Sequence, residues 1–152
     1  MLKKIILLFA GLIIISCSNK DKKENFSLEL VTDNTDLNMK LYYQDDFVSN
    51  YNEKKIAIAK NDKHKYFFSI DNESLHRIRI DFDNLKSNKV LIKKLSIKKG
   101  GNYRELMGKD ILDNFKFNSQ ITPIIKNKEL ILVIKDKKDP FFVSKNLNIL
   151  FL

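Results

Sequence analysis

The chain has 152 residues, 43% hydrophobic and 31% charged, and its 28 Lys and Arg against 19 Asp and Glu give a net charge of +9. That length suits one domain, since a chain of about 150 residues buries roughly 68–70% of its unfolded surface. The single cysteine excludes an intramolecular disulfide, and acids interleave with bases rather than forming basic blocks, so the charge reads as solubility with attraction to anionic lipid or polysaccharide, and not to nucleic acid.

Met1 to Cys17 has three parts: a basic start at Lys3 and Lys4, an apolar run from Ile5 to Ile15, and Ser16 before the cysteine. This is the layout of a secretory signal peptide. The run falls short of the roughly 20 apolar residues that a membrane-spanning helix needs. Its end, Ile14-Ile15-Ser16-Cys17, resembles the lipobox of bacterial lipoproteins, with a branched apolar residue three places before the cysteine and a small one directly before it. The resemblance implies a signal peptide over 1–16 that is removed, and Cys17 as the lipidated first mature residue. Two or more acyl chains hold a protein firmly where one holds it only marginally. It also implies a cell-membrane location outside the cytoplasm. Ser18 is not the aspartate that retains such proteins at the inner membrane in some Gram-negative sorting systems, which favours the outer membrane there. Without Lys3 and Lys4 the net charge is +7. Cys17 abuts the polar segment Ser18 to Asn25 and has no basic partner or pocket, which a catalytic thiol requires. Residues 17–25 thus read as a lipidated cysteine and a flexible tether.

From Phe26 the apolar period is 2, the mark of half-buried strands, and the domain is set at 26–152. In FSLEL, Phe26, Leu28 and Leu30 share one face. In NMKLYY, Met39, Leu41 and Tyr43 alternate with Lys40 and Tyr42. KIAIAK predicts Ile56 and Ile58 inward and small alanines outward. KYFFSI groups Tyr66, Phe68 and Ile70. LHRIRIDFD sets Ile78, Ile80 and Phe82 against Arg77, Arg79, Asp81 and Asp83. KVLIKKLSIKK slips by one near Lys93 and Lys94, which predicts a bulge. GKDILDNFKF predicts one short helical turn, with Asp110 as its N-cap. ELILVIK, apolar on both faces, reads as a central strand, and NILFL as a terminal strand. Turns are predicted at Asp33 to Asp36, Asn61-Asp62, Asp71-Asn72, Gly100-Gly101 and Asp139-Pro140. About eight short strands spaced this way predict an all-β fold, a single antiparallel β-sandwich.

The middle of the chain, from Tyr42-Tyr43-Gln44-Asp45-Asp46 through RIRIDFD to IKKLSIKKGG, resembles a jelly-roll module found beside bacterial membrane glycosyltransferases and in carbohydrate-binding-like domains. The resemblance implies a galactose-binding-like sandwich and contact with glycan. It implies no activity. Asn84 stands where a glycine commonly follows the aspartate-bearing strand.

No G-x-S-x-G, G-x-x-x-x-G-K-[ST] or G-x-G-x-x-G motif occurs. His64 and His76 lie on different segments, and a metal needs several converging ligands, so no metal or cofactor is expected. Asp81 and Asp83 have a spacing that could serve glycosidic hydrolysis, but Arg77 and Arg79 share their face and charge pairing is the expected role. A calcium site through Asp33, Asp36, Asp45 and Asp46 would need a defined loop, which the sequence lacks. Glycan recognition calls for exposed aromatic platforms with polar neighbours, and Tyr42, Tyr51 and Tyr103 are the candidates. The expectation is therefore a membrane-anchored, non-enzymatic module for envelope polysaccharide. The alternative is a structural or assembly partner of an envelope protein, docking through a sheet edge or face.

Overall fold

The computed structural model describes residues 26–44, 56–70 and 75–151. The apolar N-terminal run, Cys17, the tether, and the Asp71-Asn72 turn lie outside them. In chain order the strands are β1 (Phe26–Thr32), β2 (Asn38–Gln44), β3 (Ile56–Ile58), β4 (Lys60–Asp62), β5 (Lys65–Ile70), β6 (Arg77–Asp83), β7 (Lys89–Lys99) and β8 (Asn102–Leu106). The short helix α1 (Gly108–Asn114) follows, then β9 (Phe115–Phe117), β10 (Ile121–Lys126), β11 (Glu129–Ile134) and β12 (Phe141–Ser144), and a 3-10 turn at Leu147–Phe151 ends the described chain. The fold is an all-β sandwich of two antiparallel sheets with one short helix. One sheet runs β10-β11-β7-β1-β5-β4 with β8 also on β7, and the other β3-β2-β6-β12-β9.

Strict alternation fixes which face of each strand is buried, because a one-residue slip would turn every side chain over. Phe26, Leu28 and Leu30 of β1 and Tyr66, Phe68 and Ile70 of β5 point inward from the larger sheet. Met39 and Leu41 of β2, Ile78, Ile80 and Phe82 of β6 and Phe142 of β12 point inward from the smaller one. All belong to a single buried cluster, and each large apolar side chain contributes about 1.5–3 kcal/mol relative to exposure. Phe142 stacks on Phe117 and meets Phe115 edge-on, at 5.6 and 5.4 Å between centroids.

Strand β7 organises the larger sheet. One side pairs with β1 along most of its length, while the other is shared, Lys89 to Ile92 with β11 and Leu95 to Lys99 with β8. The pairing with β1 steps from Val31–Lys94 to Thr32–Ile92, leaving Lys93 out. This is the bulge that the slipped alternation predicts. It lets Val90 and Ile92 before it, and Leu95 and Ile97 after it, all face the core. Strand β11 has a neighbour on each side, as its two apolar faces predict.

The chain crosses from one sheet to the other between β1 and β2. Asn34 replaces a missing strand there: its carboxamide oxygen accepts from the Leu91 N–H at 3.0 Å and its amide donates to the Lys89 carbonyl at 3.2 Å. The buried Tyr66 hydroxyl reaches out of the core, accepting from the Leu37 N–H and donating to the Thr35 carbonyl, both at 2.9 Å.

Several sequence expectations are corrected. Twelve strands are described rather than about eight. In β3 the register with β2 sets Ala57 opposite the inward Leu41, so Ala57 packs on the core and Ile58 is 73% exposed. Asn61 and Asp62 are strand residues, and the reversal comes at Lys63-His64, with Lys63 at φ 54°. The N-cap of α1 is Met107, without a side-chain cap, and Asp110 sits within the first turn, where negative charge is favourable. Leu147–Phe151 forms a 3-10 turn rather than a terminal strand. Asn84 adopts φ 50°, the left-handed conformation a glycine would supply and asparagine tolerates. At Gly108, φ 32°, a side chain would collide with the Lys128 carbonyl of the β10–β11 hairpin, so only glycine lets α1 pack there.

Removal of the Tyr66 hydroxyl strands a backbone donor and an acceptor at the crossing. Tyr66→Phe is expected to lower stability by about 1–3 kcal/mol, read by urea denaturation; a change below measurement error would show that water satisfies both groups.

Candidate functional site

The outward residues of the larger sheet form lateral rows set by the strand register. One row runs Tyr103, Lys98, Ser27, Ser69 across β8, β7, β1 and β5. The next runs Glu105, Ser96, Glu29, Phe67 and on to Lys60 of β4. Three strand spacings separate β8 from β5, about 14 Å. Between them lies an open groove of about 250 Å³, walled by Tyr103 and Phe67 and floored by Ser27, Glu29, Lys94, Ser96 and Lys98.

The Tyr103 ring is 61% exposed, yet its polar end is held. The hydroxyl donates to a Glu105 carboxylate oxygen at 3.0 Å and lies 3.3 Å from the Ser96 hydroxyl. Glu105 also meets the Lys94 ammonium at 3.0 Å. The hydrogen bond from Lys94, with that from Tyr103, holds the Glu105 carboxyl below the usual glutamate range, and the same contact raises Lys94. A ring anchored in this way presents its face without the entropy loss of a free rotamer on binding. Lys98, exposed beside it, has no ion pair or side-chain hydrogen bond among the described residues.

No protein-family model, curated protein or solved structure matches this chain.

Tyr42 is on the other sheet, so the structure does not bring it together with Tyr103. It faces outward from β2, and the Arg79 guanidinium lies 5.6 Å from its ring centroid and 3.7 Å from that of Phe141. Arg79 donates two hydrogen bonds to Asp81, at 2.6 and 2.7 Å, and a third to Asp139 at 3.1 Å. Burial pushes the Asp81 carboxyl above the usual aspartate range, and Arg79 pulls against that. Burial disfavours the Arg79 charge, but Asp81 and Asp139 outweigh it and its value is raised. Tyr42 is thus committed to packing a buried ion pair. Tyr51 lies outside the described residues.

The remaining candidates are dispersed. Asp83 pairs with Lys40 at 2.7 Å, so both strand aspartates are engaged in the charge pairing expected of them. Asp33 pairs with Lys93 at 2.7 Å and Asp36 with Lys86 at 3.0 Å, which leaves neither carboxylate aimed at a shared cation, and Asp45 and Asp46 lie outside the described residues. His64 is in the β4–β5 turn, while His76 is near Asn148 at 3.4 Å. Among the described residues no three His, Cys, Asp or Glu side chains converge.

Sequence reading missed Phe67 and Lys98. The signal was present in KYFFSI: with Tyr66 and Phe68 inward, the intervening aromatic must face out, where a polar residue is usual.

Asp81 is buried and, among the described residues, its ion pair is with Arg79. Arg79→Met is expected to cost about 3–5 kcal/mol at neutral pH, and Arg79→Met/Asp81→Leu to recover most of it. In the single variant the native carboxyl titrates above its unfolded value. Its penalty is therefore absent below about pH 4 and grows as the pH rises through the native value. Denaturation at several pH values checks this; a pH-independent deficit would assign the loss to packing alone.

Proposed function

We propose that this is a lipid-anchored protein of a bacterial cell envelope whose sandwich binds a glycan, without catalysis, on the outer face of the larger sheet. The observation that carries the reading is the groove with two aromatic walls and a floor of hydroxyl, amino and carboxylate groups. A pyranose has one apolar face and a rim of hydroxyls. Tyr103 suits the face, and Ser27 and Glu29 suit the rim. A length of about 14 Å accommodates a short oligosaccharide rather than one sugar.

The lipobox-like end at Cys17 supports the anchoring. Eight residues, Ser18 to Asn25, separate it from β1 and reach at most about 29 Å. Ser27 and Lys98 sit one register step from Phe26, where β1 begins. The groove therefore lies toward the end of the sheet where the tether enters, which suits a ligand in the layer next to the membrane.

The second reading, docking to an envelope protein, is favoured by one feature. β10 is a sheet edge, and Ile124 and Ile125 on it are exposed, as is the nearby Met107. Pro123 withholds one backbone donor from that edge, so side chains rather than added strand pairing would carry such a contact.

Palmitate-analogue labelling followed by membrane fractionation is expected to mark the wild type and not Cys17→Ala; an unlabelled wild type would remove the anchor from the reading. Calorimetric titration with cell-envelope oligosaccharides is expected to give saturable binding that Tyr103→Ala weakens at least about tenfold with unchanged Tm. Absence of binding across the panel would sink the glycan assignment, and in-cell crosslinking to one envelope protein through Ile124 would favour the second reading.

A further inference from the structure

We infer that the glycan taken by this groove is anionic, carrying carboxylate or phosphate, and that Lys98 is the residue that selects it. The inference rests on the glycan reading and goes on to name the ligand class. The groove floor has two lysines in different states. Lys94 is neutralised by Glu105 at 3.0 Å. Lys98 is exposed and has no such partner among the described residues, although Glu29 and Glu105 lie on the same sheet face. Both glutamates belong to the neighbouring row, two residues along the strands or about 7 Å away, and Lys65 stands 4.0 Å from Glu29.

In its own row, Lys98 lies directly between the Tyr103 platform on β8 and the Ser27 hydroxyl on β1, with Ser69 next on β5. Adjacent strands are about 4.8 Å apart. A sugar ring stacked on Tyr103 would thus hold an exocyclic acid within reach of the Lys98 ammonium, and hydroxyls of the following sugar within reach of Ser27 and Ser69. The Lys98 charge is available to a ligand because no ion pair or side-chain hydrogen bond to another described residue must first be broken. The net charge of +7 that remains without Lys3 and Lys4 adds a long-range attraction of the same sign.

Two matched pairs test this by calorimetry at low salt: tetragalacturonate against its methyl ester, and maltotetraose phosphate against maltotetraose. The proteins are wild type, Lys98→Gln and Tyr103→Ala. The wild type is expected to prefer the acidic member of at least one pair by about tenfold or more. Lys98→Gln should bring that ratio to about twofold or less by weakening the acidic member more than the neutral one, and Tyr103→Ala should weaken both members alike. Equal wild-type affinity within each pair would overturn the anionic assignment and leave the glycan reading standing. A preference that survives in Lys98→Gln would overturn the role of Lys98. No binding of any of the four would count against both. Lys98 is exposed on a strand, so thermal melts of Lys98→Gln should match the wild type and rule out misfolding.

Discussion

The crossing between β1 and β2 is the constraint on which the sandwich depends. The chain must leave one sheet at Thr32 and enter the other at Asn38, and the turn exposes backbone groups that neither sheet can pair. Two side chains settle the crossing, one by satisfying groups of the turn and one by satisfying the strand that the turn passes. The Asn34 carboxamide stands in for a strand beside Lys89 and Leu91, and the Tyr66 hydroxyl bridges Leu37 and Thr35 from inside the core. Because Tyr66 belongs to β5 and Asn34 is bonded to β7, the crossing also ties together the two strands flanking β1. Unpaired buried polar groups cost more than a hydrogen bond gains, so the crossing is determined by what it must satisfy.

The same register that closes the core creates the candidate site. With Leu28, Leu30, Phe68, Leu95 and Ile97 inward, the residues between them are forced outward on neighbouring strands. Tyr103, Lys98, Ser27 and Ser69 fall into one line for that reason alone. The opposite sheet uses its outward face differently. Arg79 and Asp81 close over one another beside Tyr42 and Phe141, and Lys40 pairs with Asp83. The larger sheet's face instead presents an anchored ring and, at Lys98, a cation with no ion pair among the described residues.

Strands with clean alternation were legible in the sequence. FSLEL, KYFFSI and RIRIDFD each place one apolar face in the core, and the slipped phase at Lys93 marked a real bulge. Failures came where pairing, not pattern, decides. β4, Lys-Asn-Asp, is wholly exposed and is a strand because the edge of β5 from Lys65 to Phe67 offers it backbone to pair with. In NYREL only Leu106 is buried, and the segment pairs because β7 offers free backbone beyond β11. Ile58 turned outward because Leu41 dictates the neighbour it can have. Of the site, Tyr103 and the outward Phe67 carry a signal in the sequence, but their grouping with Lys98, Ser27 and Ser69 does not, since a row across four strands joins residues up to 76 positions apart.

The position of β1 has a mechanical consequence. It lies inside the larger sheet, antiparallel to β5 on one side and β7 on the other. Tension carried by the chain before Phe26 would act along the strand axis and load both ladders in shear, so that their hydrogen bonds must yield together. Had the first strand been an edge, the same pull could have peeled it away one bond at a time.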